Sequence, residues 1–423
     1  MKVLQINNTD AGGGAAVAAN RLNRALRRNG IESKLLVQDL SGYEEGVYAV
    51  GNGLISRAKS KVNYLIERLS FLPYQKNTSG RNNFSVANVG INISNHTLVK
   101  DADIIHIHSI NNGFLSIDSL GDLLACGKPI VWTQHDMWSF TGGCHFAGSC
   151  MEFLEFCSYC PFLRKPGKKD LSAKIFAKKR KIYNKTNLSI VASSRWLRTL
   201  SQESKLLRRK LFYNIPNPID INFYKPKNKF ESLNNLGLSP DKKYILYGAD
   251  NVNDPRKGVR YFVEALNVLS ENFPSVKDKA ELIVFGKIDK DILKQLPFKT
   301  NYFRYVTNAG ELVDLYNAAD CYVLPSLQVN LPNTIMESMA CGTPVVGFSI
   351  GGVPEMICHK ECGYLAEVKN SLSLATGIYE MLFVCDLKKL SENARRKAEL
   401  YYSEPVVADQ YKQLYTSLMT ENL

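Results

Sequence analysis

The chain has 423 residues, 45% hydrophobic and 22% charged, enough for two domains with full cores and the wrong composition for a disordered or collagen-like chain. A formal charge of +13 favours anionic partners such as diphosphates and acidic lipid headgroups, and no nucleic-acid-binding motif accompanies it. No apolar run reaches the length of a membrane span, and Met1-Lys2 leads into a strand without a signal-peptide pattern, so the expected location is the cytoplasm.

The first expected element is a strand, Val3–Ile6, followed by Asn8-Thr9-Asp10-Ala11-Gly12-Gly13-Gly14 and a helix over Ala15–Arg28. A tight turn needs one glycine. Three of them before a helix let backbone N–H groups approach an anion, although the pattern is not the dinucleotide fingerprint G-x-G-x-x-G. Arg21, Arg24, Arg27 and Arg28 give that helix a basic face, read as solvated.

Residues 41–100 fit a strand–helix alternation poorly. Within them Leu54 to Leu72 places Ile55, Val62, Leu65, Ile66 and Leu69 among Arg57, Lys59, Lys61 and Arg68. Packing on the protein's own core is the commoner fate of such a pattern, and lying on a membrane the rarer one. Lys76 to Asn83 reads as a polar loop.

Further strands are expected at Ile104–His108, Ile130–Thr133 and Ser189–Ala192. His106 and His108 face the same side of their strand, and His108 lies nearer its carboxyl end. Trp132-Thr133-Gln134-His135-Asp136 closes the next strand. Cys144, Cys150, Cys157 and Cys160 then form C-x5-C-x6-C-x2-C with His145 alongside, which points to a structural tetrahedral zinc in a reducing compartment; disulfides or free thiols are the alternatives. Four thiolates would leave no open position, so such a metal would organise a loop. Ten basic residues from Arg164 to Lys185, among them Lys178, Lys179 and Arg180, read as solvated helix faces, with attraction to an anionic membrane leaflet as a second use.

The turn Ile215-Pro216-Asn217-Pro218-Ile219-Asp220 marks the expected domain boundary. Beyond it, strands at Tyr244–Tyr247, Leu282–Phe285, Cys321–Leu324 and Val345–Phe348 alternate with helices near Val259–Ser270, Glu311–Ala318 and Leu372–Phe383. Two such alternating units predict an α/β fold of two doubly wound parallel sheets. Asn253-Asp254-Pro255-Arg256-Lys257-Gly258 opens a helix with a mobile positive charge suited to a diphosphate. From Pro325-Ser326 the chain runs through a helix near Asn333 carrying Glu337, then Ala340-Cys341-Gly342, a strand, Gly351-Gly352 and Pro354-Glu355. Strand, loop, helix N-terminus, strand and glycine turn is how an α/β sheet builds a phosphate and ribose site at its carboxyl edge.

In chain order the glycine loop, the His135 strand, Ser194-Arg195-Trp196, the 216–220 turn, Lys257-Gly258 and the 325–355 block resemble the retaining glycosyltransferases of family 4, of the group 1 type that builds polysaccharides. The resemblance spans nearly the whole chain and implies the GT-B fold, two Rossmann-like domains facing across a cleft. Residues 1–215 would form the acceptor-side domain, with a terminal helix in 403–423 returning to it, and residues 216–402 the nucleotide-sugar domain.

The resemblance also implies roles. Gly12, Gly13 and Gly14 would face the donor diphosphate and acceptor, Lys257 the diphosphate, and Arg256 would assist it. Asn330, Leu331 and Asn333 would present backbone N–H groups to sugar and phosphate. Glu337 would bind ribose hydroxyls, and His135 would line the sugar pocket. Two positions depart from the family pattern: Val329 stands where a first Glu pairs with Glu337, and Asn251 where an Arg precedes Lys257.

The implied activity is transfer of a hexose from a nucleoside-diphosphate sugar, with retention, to a glycan or lipid-linked glycan in cell-surface assembly. No catalytic cofactor or divalent metal is implied, and the setting would be the cytoplasm or the inner membrane face. Three alternatives stay open: a degenerate member that binds without turnover, a metal-dependent interaction protein, and an epimerase on the same architecture.

Overall fold

A computed structural model describes residues 1–420 apart from 52, 78–82, 185, 187, 305 and 307. Lys185 of the basic segment, residues 78–82 of the polar loop and residues 421–423 of the terminal segment therefore lie outside the described residues. The chain divides into two compact units, Met1–Pro218 with Val407–Leu423, and Ile219–Val406.

The first unit is built on seven parallel strands: β1 (Lys2–Thr9), β2 (Glu32–Asp39), β3 (Val47–Ala49), β4 (Ile104–Ile107), β5 (Ile130–Gln134), β6 (Leu188–Ala192) and β7 (Leu211–Asn214). Their order is β3-β2-β1-β4-β5-β6-β7. The second unit has six parallel strands: β8 (Lys243–Asn251), β9 (Ala280–Lys287), β10 (Thr300–Phe303), β11 (Cys321–Leu324), β12 (Val345–Phe348) and β13 (Gly363–Ala366). Their order is β10-β9-β8-β11-β12-β13. In both sheets the winding reverses beside the first strand, between β1 and β4 and between β8 and β11, so the loops leaving those strands diverge and open a crevice.

Both sheets are covered on both faces, as parallel sheets require. In the second unit Leu246, Ile283, Tyr322, Leu324 and Val345 belong to one core, while Ile245, Leu282, Val284, Cys321, Val323 and Val346 belong to the other. That alternation is the period of two within near-continuous apolar runs. In the first unit the terminal Glu404–Thr420 helix lays Val407, Ala408, Tyr411, Leu414, Tyr415 and Leu418 against Val3, Leu26, Ile104, Val131 and Val191.

Three expectations about polar faces change. The Leu54–Phe71 helix forms, but only Ser60, Glu67 and Phe71 are buried along it. Leu54, Ile55, Val62, Leu65, Ile66 and Leu69 stand in solvent, Ile55 at 87% exposure, so the core-packing expectation is overturned. Glu67 moors the helix: its carboxylate accepts the backbone N–H of Ala87 at 3.0 Å and of Gly113 at 2.5 Å. Arg21 and Lys179 likewise turn inward from faces read as solvated.

Beneath the terminal helix, His106 bridges Tyr415 Oη at 2.6 Å and Thr133 Oγ1 at 2.7 Å, and His108 meets Gln5 Oε1 at 2.9 Å. Burial pulls His106 down to about 3 and holds His108 well below the ordinary imidazole range. The folded chain thus keeps both rings neutral while the unfolded chain protonates them near pH 6.5. Stability from this source is complete above that pH and is lost as pH falls through the interval down to about 3. Trp132, Trp138 and Trp196 are the only tryptophans and all lie in the first unit, so their fluorescence reports its unfolding. The expected outcome is a stability that declines below pH 6.5, with the slope reduced in His106→Gln by up to about 1.4 kcal/mol per pH unit.

Candidate functional site

The second unit's candidate residues lie on three loops at the carboxyl edge of its sheet, and backbone contacts lock these loops together. Leaving β8, Asp254 caps the short turn Pro255–Lys257 by accepting the Arg256 N–H at 3.0 Å. Gly258 follows at φ +69°, where an added Cβ would stand 1.8 Å from the Pro325 carbonyl oxygen. The Leu327 N–H donates to the Arg256 carbonyl at 2.7 Å. Gly351, at φ +59°, would drive a Cβ to 1.9 Å from the Val329 oxygen, and the Gly352 N–H donates to the Asn330 carbonyl at 2.9 Å. Only glycine permits these two approaches.

Lys257 ends its turn half-buried, and burial followed by the neighbouring Arg256 charge pulls its amine below the ordinary range. Arg256 forks onto Asp254, Nε at 3.1 Å from both carboxylate oxygens and Nη2 at 2.6 Å from one. Burial pushes the Asp254 carboxyl up, but the Arg256 side-chain and backbone bonds outweigh it and hold it low. Arg256 is therefore engaged within its own loop, which leaves Lys257 as the side chain better placed to meet an anion. Asn251 is the exposed last residue of β8.

The Asn333–Ala340 helix starts from Pro332 with no side-chain cap, and the Ile335 N–H turns back onto the Pro332 carbonyl at 3.2 Å. Glu337 sits in the second turn, beyond any capping position, and is 5% exposed; Tyr316 Oη donates to its Oε2 at 2.9 Å. Asn330 and Leu331 are buried beside the Gly351 turn. Val329 is half-buried and packs against the apolar cluster that holds Tyr322, Leu324 and Met336. It fills an apolar position.

In the first unit Gly12 and Gly13 take φ +78° and +92° with open space around them, and the Gly14–Arg28 helix begins without a side-chain cap. At the carboxyl ends of β4 and β5 a small cavity is lined by His108, Asn111, Gln134, His135, Asp136 and Ser139, among others. His135 Nε2 lies 3.1 Å from His108 Nδ1, and burial lowers the His135 ring to about 4, with Asp136 opposing. Sequence reasoning missed the polar links around this pocket. Asp136 pairs with His145 Nδ1 at 2.7 Å, and His145 Nε2 reaches Ser85 Oγ at 2.9 Å. Asn111 Nδ2 and Gln134 Oε1 are buried with no hydrogen-bond partner among the described residues. Gln5 and Asn7, polar residues at alternate positions of a buried strand, were the available signal: Gln5 holds His108 and Asn7 accepts the Ser109 N–H at 2.9 Å.

Cys144, Cys150, Cys157 and Cys160 line one further cavity in this unit. Burial pushes Cys144 up to about 11 and Cys160 up to about 12, and raises Cys157 further still. Among the described residues no three His, Cys, Asp or Glu side chains stand as a formed metal-ligand set.

Residues 12–223 match the family described as Glycosyltransferase Family 4, and residues 242–383 match Glycosyl transferases group 1. An uncharacterized glycosyltransferase of Methanocaldococcus jannaschii is 29% identical over 50% of this chain and 54% of its own length. The N,N'-diacetylbacillosaminyl-diphospho-undecaprenol alpha-1,3-N-acetylgalactosaminyltransferase of Campylobacter jejuni is 31% identical over 38% of this chain and 41% of its own. The chain thus spans about half the length of the first curated relatives it matches. The putative colanic acid biosynthesis glycosyl transferase WcaC of Escherichia coli aligns more fully, at 23% identity over 99% of this chain and 100% of its own.

Among solved structures, sucrose-phosphate synthase from Thermosynechococcus elongatus superposes with a TM-score of 0.66 at 14% identity, covering 100% of both chains. Anabaena HepE in complex with UDP and glucose gives 0.63 at 16% identity, over 99% of this chain and 100% of its own. These likenesses establish the GT-B fold. With one family matched across the first half and its companion across the second, the chain belongs to the family 4, group 1 glycosyltransferases.

Proposed function

We propose that the chain transfers a hexose, with retention, from a nucleoside-diphosphate sugar to a hydroxyl of a glycan or lipid-linked glycan in polysaccharide assembly. The observation that carries this reading is the interlocked set of loops in the second unit. It holds Lys257, an uncapped helix N-terminus and Glu337 at the edge where an α/β sheet binds phosphate and ribose. The colanic acid assignment of WcaC, the undecaprenol-linked acceptor of the Campylobacter enzyme and the UDP and UDP-glucose complexes of HepE agree in direction. They make UDP-sugars the first donors to test.

The chemistry asked of these residues is electrostatic. As the bond from the anomeric carbon to the diphosphate oxygen breaks, Lys257 and the N–H groups from Asn333 onward neutralise the departing charge. The acceptor oxygen bonds the anomeric carbon on the same face, and its proton passes to the leaving diphosphate, so no side-chain base is needed. Glu337 orients the ribose. His135, kept neutral at pH 7 by burial, positions the sugar through hydrogen bonds. Asn111 Nδ2 and Gln134 Oε1, both without partners among the described residues, are further polar groups for a sugar hydroxyl. Gly12 and Gly13, at positive φ with open space around them, let donor or acceptor approach the backbone before Gly14.

A membrane setting for this reaction is supported by the Leu54–Phe71 helix. It exposes six large apolar side chains beside the exposed Arg57, Lys59 and Lys61, while its one acid, Glu67, is buried. That combination suits an interfacial helix on an anionic leaflet, each basic residue adding about 1 kcal/mol. Among the described residues no helix is long and apolar enough to cross a membrane. A second reading, binding without turnover, is favoured by one observation: the apolar packing of Val329 where the family places a carboxylate.

In calorimetry against UDP-, GDP- and ADP-sugars, one nucleotide class is expected to bind, and Glu337→Ala weakens it by roughly 10- to 100-fold through lost charge-assisted hydrogen bonds. Lys257→Ala leaves the fold intact and lowers kcat/KM about 100-fold or more. If no nucleotide sugar binds, the donor-site reading fails. Restoring the missing carboxylate with Val329→Glu should raise turnover on the correct donor at least about tenfold, whereas unchanged zero turnover supports the binding-only reading. Finally, the chain co-sediments with vesicles containing acidic phospholipid but not with neutral ones. Ile55→Ser with Leu65→Ser releases it without changing nucleotide-sugar affinity, and equal binding to both vesicle types would refute the docking role.

A further inference from the structure

The first unit contains a cluster that sugar transfer does not use. Cys144, Cys150, Cys157 and Cys160 reach one cavity of about 10 Å³, room for a single ion. Phe84, Phe153 and Phe162 wall it, so a water there would find few partners. We infer that these four thiols together hold one soft divalent cation, zinc by its ligand preference, which fixes the loop carrying His145 beside the first unit's pocket.

Several observations point to a ligand. The Gly142 N–H donates to Cys157 Sγ at 3.0 Å, an approach that a side chain at 142 would obstruct, because its Cβ would stand 2.8 Å from the Cys157 Cβ. N–H to sulfur bonds of this kind support thiolate ligands and set their orientation. Between the last two cysteines Tyr159 takes a left-handed φ of +46°, a conformation that a tyrosine adopts only when its surroundings enforce it. Asp170 secures that turn by accepting the Cys160 N–H at 2.9 Å and the Gly167 N–H at 3.3 Å.

Charge balance fits as well. Four thiolates around a divalent cation carry a net charge of about −2. Lys179 is fully buried beside the cluster, bonded at 3.1 Å to the carbonyl of Thr141, whose hydroxyl donates to the Cys144 carbonyl, and seated 3.3 Å from the Trp138 ring centroid. In the present conformation the thiols are not drawn to ligand distance. Coordination therefore requires their side chains to swing inward about χ1, releasing one proton from each thiol to solvent as the four metal–sulfur bonds form.

The test is the metal content of the full chain, purified under reducing conditions and dialysed against a mild chelator. The expected result is roughly one zinc per chain. Cys150→Ser should retain well under half of it, while Cys126→Ser, outside the cluster, should retain it all. Should Cys150→Ser fold poorly, wild-type chain stripped of metal and loaded with cobalt(II) should show the strong visible bands of a tetrahedral thiolate site. A folded wild-type chain that carries no metal and takes up neither added zinc nor cobalt overturns the inference, as does mass-spectrometric detection of disulfides among the four cysteines. Neither readout depends on nucleotide binding or transfer, so failure here is distinct from failure of the proposed reaction.

Discussion

Two close backbone approaches govern the second unit's edge. Gly258 under the Pro325 carbonyl and Gly351 under the Val329 carbonyl bring three separate loops into contact, and no residue with a Cβ could occupy either place without displacing a loop. What those loops carry follows from this contact: Lys257 from one, the start of the Asn333–Ala340 helix from the second, the Gly351-Gly352 turn from the third. The parallel sheet beneath puts the loops on one side, because every strand ends at the same edge. Position therefore comes from the sheet, and closeness comes from the glycines.

The two units solve different problems with the same doubly wound architecture. The second places Lys257 and a helix N-terminus at one edge, which the proposed function would use on a charged leaving group. The first buries a chain of neutral polar groups, Gln5 to His108 to His135, where burial keeps the rings uncharged. Neutral rings, with Asn111 Nδ2 and Gln134 Oε1 lacking partners among the described residues, would suit the hydroxyls of a sugar under the proposed function, whereas a charged imidazolium there would need a counter-ion. The terminal helix supports this arrangement from beneath, through Tyr411 and Tyr415 on Thr133 and His106.

Much of the architecture is legible in the sequence because fully buried parallel strands read as uninterrupted apolar runs, as in Cys321–Leu324 and Val345–Phe348. The strand Glu32–Asp39 escapes such a reading because Lys34 and Gln38 dilute its run. The Leu54–Phe71 helix is visible by its pattern, but periodicity reports that a helix has an apolar side and says nothing of what covers it. Lys179 shows the converse limit: in a run of basic residues, only the fold reveals which one turns inward onto Trp138. Within the candidate site, Glu337 and Lys257 can be found by spacing, whereas the link from His145 to Ser85 spans 60 residues and leaves no local pattern.

The central claim is that Lys257, the Asn333 helix start and Glu337 act on one donor molecule. A crystal structure of the chain grown with UDP tests it most directly. The account predicts the diphosphate at hydrogen-bond distance from Lys257 Nζ and beside the N-terminus of the Asn333–Ala340 helix, with the ribose hydroxyls on Glu337. UDP bound away from these three groups, or a diphosphate held without Lys257, would contradict it.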